Sequence, residues 1–258
     1  MSVKADFVGV ERTGPLAWVM LDRPPLNLIV PEMVEGIRTV FDTLRRDPAV
    51  RLAVLGGAGR VTTGGMQLQV LRELTPASAK AFIASLHEAI GAVHDAPFPT
   101  IAMVHGACLG AGFELAMACD LRTAAAGARL GLPEIRVGIP SVIEAALLPG
   151  LVGPGRAAEI LLTGESISAE EALEWGLVNR VAADAELRAV TARLAARILE
   201  CAPTAVRLQK ELIVRWRNTD QRTAVEYGVN AFAQSFATGE PREAMDAFLD
   251  KRPPRFAP

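Results

Sequence analysis

Residues 97–120 read Pro-Phe-Pro-Thr-Ile-Ala-Met-Val-His-Gly-Ala-Cys-Leu-Gly-Ala-Gly-Phe-Glu-Leu-Ala-Met-Ala-Cys-Asp. Pro97 and Pro99 stop any preceding helix. Ile101 to Val104 is an apolar run of strand length, and the glycines at 106, 110 and 112 then turn the chain. The apolar stretch from Gly112 to Cys119 holds one charge, Glu114, and opens a helix. Strand, glycine turn and helix in succession is the unit from which α/β layers are built.

The same rhythm extends in both directions. Upstream, Phe7–Glu11 and Leu16–Leu21 read as strands joined by a turn at Thr13-Gly14-Pro15. Pro31 suits the first position of a helix, whose face is Met33, Val34, Ile37, Val40, Phe41 and Leu44, and Asp47-Pro48 ends it. Leu52–Leu55 is a strand running into glycines. A further helix starts at Thr75-Pro76 and buries Phe82, Ile83, Leu86, Ile90 and Val93. From about Asp184 strand signals fade. Helices are expected near 184–199, 203–216 and 220–237, with a short one after Pro241. The chain thus divides into a core, 1–183, that carries the chemistry, and a helical annex, 184–258.

The 258 residues are half apolar, with a formal net charge of −2 and a pI near 6. That balance suits a compact α/β protein and argues against nucleic acid or an anionic membrane as main partner. The basic helix Arg207–Arg217 is interrupted by Glu211 and reads as a solvated face. No signal-peptide core or spanning segment is evident, and Cys108, Cys119 and Cys201 lack metal or redox spacing, so buried thiols in the cytoplasm are expected. His87, His94 and His105 have no metal-ligand spacing and are expected in surface or satisfied roles. No metal is called for.

Two glycine-rich turns carry the candidate chemistry: Gly59–Leu68, GRVTTGGMQL, and Gly106–Leu115, GACLGAGFEL. Glycines let backbone approach a ligand, and a helix start offers unpaired N–H groups, so two such turns can converge on one oxygen. Tight turns alone remain the plainer account. The dinucleotide reading fails because Leu115 stands where the third glycine belongs, and no phosphate-loop motif occurs. Glu114, in its apolar run, and Glu134, in LGLPEIRVGIP, are candidate general acid–base groups. They equally suit a first-turn helix acid and a solvated loop residue. Ser141-Val142-Ile143-Glu144 has the spacing of a capping box, the favoured role for Glu144, with substrate contact as the alternative. Ser168–Glu171 shares that spacing.

These segments, with Leu21–Asn27, TGESISAEEALEWGLVNRV at 163–181 and Phe248–Arg252, resemble the crotonase (enoyl-CoA hydratase/isomerase) family in order and spacing over nearly the whole chain. The resemblance implies an α/β, ClpP-like spiral of ββα units with a C-terminal helical trimerisation region, assembled as a homotrimer or dimer of trimers. It implies an enoyl-CoA hydratase, a lyase adding water across the 2,3-double bond of an enoyl-CoA, with coenzyme A as part of the substrate and no separate cofactor. Glu114 and Glu134 match the two catalytic carboxylates, and the N–H groups of Met66 and Ala111 match the oxyanion hole. Arg23, Leu26, Gly65, Gln67, Leu68, Gly110, Phe248 and Lys251 match substrate- and coenzyme-binding positions, with Met66–Leu68 expected as strand. Ile139, Pro140, Ser141 and Glu144 fall at the acyl pocket. Met66, Gln67 and the run 138–144 depart from the usual residues and point to an unusual acyl group. Isomerisation, decarboxylation, C–C cleavage and thioester hydrolysis are the alternatives on the same scaffold, followed by a non-catalytic acyl-CoA-binding trimer.

Overall fold

The computed structural model describes residues 4–256. Strands β1 (Lys4–Ala5), β2 (Val8–Thr13), β3 (Leu16–Leu21), β4 (Leu52–Gly57) and β5 (Thr100–Val104) lie side by side in that order. Then β6 (Ala107–Leu109) leaves the sheet, and β7 (Leu121–Ala125) rejoins it beside β5. A second, three-stranded sheet takes β6, β8 (Arg129–Gly131) and β9 (Ser166–Ser168), while β10 (Arg180–Ala182) closes the first sheet beside β7. The opening strands are antiparallel; from β3 onward every pair in the large sheet is parallel. Strands covered on both faces must be apolar throughout, and β4 and β5 are buried at every position. Phe7, expected in a strand, instead takes φ 58°, so β2 starts one residue later.

Helix α1 (Pro31–Arg46) opens on its proline and buries the face predicted from its 3.6-residue period. Beyond it lie α2 (Leu68–Arg72) and α3 (Pro76–His94), the latter capped reciprocally by Thr75 and Ser78. Helix α4 (Ala111–Ala118) is buried at every residue. Its open C-terminal carbonyls are met by the buried guanidinium of Arg122, whose Nη1 donates to Cys119 O (2.7 Å), Ala116 O and Met117 O. The expected strand at Met66–Leu68 does not form. Met66 makes a single bridge to Ile29, and Leu68 already begins α2 because the Val70 N–H closes a turn onto Gln67 O.

Short helices α5 (Leu148–Val152), α6 (Pro154–Thr163) and α7 (Ala169–Glu174) follow, α7 with the Ser168–Glu171 capping box in place. Helix α8 (Leu187–Leu199) covers the sheet, its Thr191 hydroxyl meeting that of Thr123 on β7 at 2.7 Å. Helices α9 (Pro203–Trp216), α10 (Gln221–Ser235) and α11 (Glu240–Leu249) complete the annex. Two polar ties hold it. The nearly buried Lys210 donates to Asp120 Oδ1 at 2.7 Å, and the Glu240 carboxylate accepts the Thr204 N–H at the start of α9. Cys108 and Cys119 are buried, but Cys201 is exposed because it falls in the turn between α8 and α9, correcting the expectation of three buried thiols. No helix among the described residues is long and apolar enough to cross a membrane.

Candidate active site

The glycine-rich turns leave the carboxyl ends of β4 and β5, where an α/β sheet presents its ligands. The first turn is wedged between two other segments. Thr63 N–H donates to Ala107 O and Leu109 N–H to Thr63 O, while Gly64 N–H donates to Leu26 O and Ile29 N–H to Gly65 O. Asn27 is the keystone: 1% exposed, with φ 50°, it donates from Nδ2 to Ala58 O (2.8 Å) and Val61 O (2.9 Å). Its own carbonyl accepts the Thr63 hydroxyl at 2.8 Å. The second turn meets the first so closely that a Cβ on Gly65 would lie 3.0 Å from Leu109 O. Gly110 has φ 55° and faces Gly65. Met66 and Ala111, the next residue on each turn, have N–H groups with no acceptor among the described residues. Ala111 lies outside the left-handed region, so its methyl group is tolerated.

Glu114 sits in the first turn of α4 and is 3% exposed; its Oε1 accepts the Ala145 N–H at 3.0 Å. Burial raises its pKa to about 8. The Ala145 bond opposes that shift, and the negative charges of Glu134 and Glu144 add to it. Glu114 therefore carries a proton at neutral pH. Glu134 rises from the 3₁₀ turn Pro133–Val137 and is likewise buried. Its Oε2 accepts the Ser141 hydroxyl at 2.8 Å, and its Oε1 occupies the space that a Cβ on Gly110 would need. Both carboxylates line one cavity of about 520 Å³, together with Met66 and the apolar side chains of Leu71, Leu74, Phe82, Ile83 and Val142. A second hollow of about 380 Å³ adjoins it, sharing Met66, Leu71, Glu134 and Ile139, and is bordered by Gly65, Leu68 and Gly110. The two hollows form one groove that passes Gly65, Met66 and Gly110 and reaches both carboxylates.

Ile139, Pro140 and Ser141 line the cavity, as their sequence positions suggested. Glu144 does not. It belongs to the 3₁₀ helix Ile143–Leu147 and lines a separate cavity of about 600 Å³, where its Oε1 shares a 2.6 Å hydrogen bond with His87 Nδ1. Nor is it the partner of Ser141 in a capping box. That hydroxyl serves Glu134, and the helix begins after Val142 without a side-chain cap. Gln67 Oε1 is buried without a partner among the described residues. Arg23 donates to Leu28 O at the groove's edge and lies over the Phe7 ring, and Leu26 packs over Gly64. Phe248 and Lys251 are exposed at the far end of α11, outside the groove of their own chain.

Three features escaped the sequence reading: the Asn27 keystone, the Ser141–Glu134 bond and the His87–Glu144 pair. Asn27 had a local signal, since Asn tolerates φ > 0 after a proline-rich turn. The other two join residues 7 and 57 positions apart, with no periodic pattern between them.

A family model described as enoyl-CoA hydratase/isomerase matches residues 11–258. Among curated proteins, the chain is 36% identical over 250 residues to a crotonyl-CoA hydratase of Syntrophomonas wolfei, covering 96% of each. It is 34% identical over 246 residues to a short-chain-enoyl-CoA hydratase of Clostridium acetobutylicum, covering 94% of each. Among solved structures, DspI of Pseudomonas aeruginosa superposes with a TM-score of 0.95 at 32% identity, over 99% of this chain and 98% of that one. An enoyl-CoA hydratase from Bacillus anthracis superposes with a TM-score of 0.93 at 30% identity, over 97% and 98%.

Proposed function

Because the chain belongs to the enoyl-CoA hydratase/isomerase family, we propose that it hydrates enoyl-CoA thioesters reversibly to 3-hydroxyacyl-CoA. One observation carries the assignment to this groove: Glu114 and Glu134 line the same cavity as Met66, beside the turn that presents the Ala111 N–H.

In the proposed reaction the thioester carbonyl oxygen sits between the N–H groups of Met66 and Ala111. Water bonds to Cβ, the double-bond electrons move toward Cα, and negative charge gathers on that oxygen. Losing one such donor costs about 3–4 kcal/mol of barrier. One carboxylate takes a proton from the water as the Cβ–O bond forms, and the other supplies a proton to Cα. Glu114, beside the Ala145 N–H, is placed to hold the water, and Glu134 to serve Cα, although coupled carboxylates share such duties. Burial raises the pKa of Glu114 and favours its protonated form, so the two tasks belong to the pair rather than to fixed partners. Coenzyme A enters as part of the substrate, over Gly65, Leu68 and Arg23.

Val225, Val229, Phe232 and Phe236 recur at helical spacing along α10 and its C-cap, and Met245 and Phe248 lie on α11, all apolar side chains that a lone chain leaves exposed. Trimerisation through this annex is the proposed use. The two buried, unpaired thiols Cys108 and Cys119 fit a reducing compartment such as the cytoplasm.

The test follows loss of ultraviolet absorbance at the conjugated thioester of crotonyl-CoA in wild type, Glu114→Gln and Glu134→Gln. Wild type should turn over, and each variant should lose at least ~100-fold while remaining folded. Folded wild type that leaves crotonyl-CoA and longer or branched enoyl-CoAs untouched would overturn the assignment.

A further inference from the structure

We infer that His87 and Glu144 form a clamp that positions the catalytic carboxylate Glu114 from outside the groove; the inference rests on the hydratase reading of the site. Neither residue lines the acyl cavity. Their contact crosses 57 residues of chain and ties the middle of α3 to the 3₁₀ helix Ile143–Leu147. The residue after Glu144 is Ala145, whose N–H donates at 3.0 Å to Glu114 Oε1 and at 3.0 Å to Val142 O.

The backbone between cavity and clamp is held in an unfavourable state. Ile143 takes φ 46°, in the left-handed region that a β-branched residue resists. A strained residue persists only where its surroundings over-determine it. On the cavity side, Ser141 is fixed to Glu134. On the far side the fixed point is Glu144, whose side chain is 9% exposed and whose Oε2 has no partner among the described residues, where His87 supplies the hydrogen bond to its Oε1. Without His87, Ile143 is free to relax toward ordinary φ. That rotation carries the Ala145 N–H off Glu114 and lets the carboxylate turn in its pocket. His87 and Glu144 are thus positioning residues, acting through the backbone of 143–145.

The test uses the full chain, with His87→Ala, His87→Gln, Ile143→Gly and His87→Ala/Ile143→Gly. Two readouts apply: hydrogen exchange over residues 141–147, which needs no substrate, and kcat and KM with crotonyl-CoA. His87→Ala should speed exchange in the segment and lower kcat about ten- to a hundredfold, with KM changed less than about twofold, as expected of misplacement rather than lost binding. His87→Gln, which keeps a donor, should recover most of both. In the Ile143→Gly background there is no strain for the clamp to resist, so adding His87→Ala should lower kcat no more than about twofold. Unchanged exchange in His87→Ala, or the same kcat loss in both backgrounds, would overturn the clamp. Absence of turnover in wild type would instead sink the hydratase reading, and the exchange result would still decide the clamp.

Discussion

Replacing Glu114 by Gln should abolish activity yet stabilise the protein, and increasingly so as pH rises. The buried carboxyl has a folded-state pKa of about 8 against an ordinary value of 4.5. A group whose pKa is raised on folding binds its proton more tightly in the native state. Its contribution to stability is therefore fully present below pH 4.5 and is lost as pH climbs through 8. Each unit of difference is worth about 1.4 kcal/mol, so wild type should trail a variant that does not titrate by ~5 kcal/mol once pH is well above 8. Gln keeps an oxygen for the Ala145 N–H and nearly the same volume, so few packing losses offset the gain. For a chain of this size ~5 kcal/mol corresponds to ~15 °C in Tm. The assay is thermal or urea unfolding of both proteins at pH 5 and pH 9, at one fixed protomer concentration. A Tm gap that does not widen between those pH values would refute the raised pKa, and with it the view that burial dominates the electrostatics of Glu114.

The same proton sets the pH limit of catalysis: kcat/KM for hydration should fall above about pH 8, as Glu114 loses it beside the charge of Glu134, and a profile flat well past pH 8 would contradict this. Gly110→Ala would drive a Cβ into Glu134 Oε1 at a residue whose φ is 55°. It should cost ~100-fold in kcat through displacement of that carboxylate, read beside a circular-dichroism melt showing a folded protein. Lys210→Met leaves Asp120 with the Thr100 N–H and hydroxyl but without its direct ion pair in a nearly buried site. Unfolding in urea should show a loss of about 3–5 kcal/mol, because the orphaned carboxylate loses its ion pair.

How far the sequence could be read depended on whether a feature is local. Helix α1 was legible because its burial is one-sided: seven positions face the core and Pro31 and Asp47 mark its ends. The Thr75 and Ser168 starts were legible for the same reason, since a cap lies within four residues of its partner. Glu114 and Glu134 could be nominated but not brought together, because only the packing of α4 against the following 3₁₀ segments does that. Ser141-x-x-Glu144 shows where local reading fails. Its spacing matches a cap, but the left-handed turn at Ile143 sends the serine to Glu134 and the glutamate to His87. No propensity of Ile points to that turn; tertiary contacts impose it.

Three unfavourable features of this molecule meet at one place. The raised Glu114, the left-handed Ile143 and the unpartnered Oε2 of Glu144 all lie where α4 meets residues 141–145. The elements beneath them are the opposite: α4 is buried throughout, and its C-terminus is held by Arg122 through several carbonyls. Strain concentrated on a rigid base is the arrangement expected where a protein holds a carboxyl group in a proton-loaded state that water would not allow. If that view is right, Glu114→Gln, which removes the buried titrating group, should act on activity and stability in opposite directions far more than substitutions of equal size in β3 or β4.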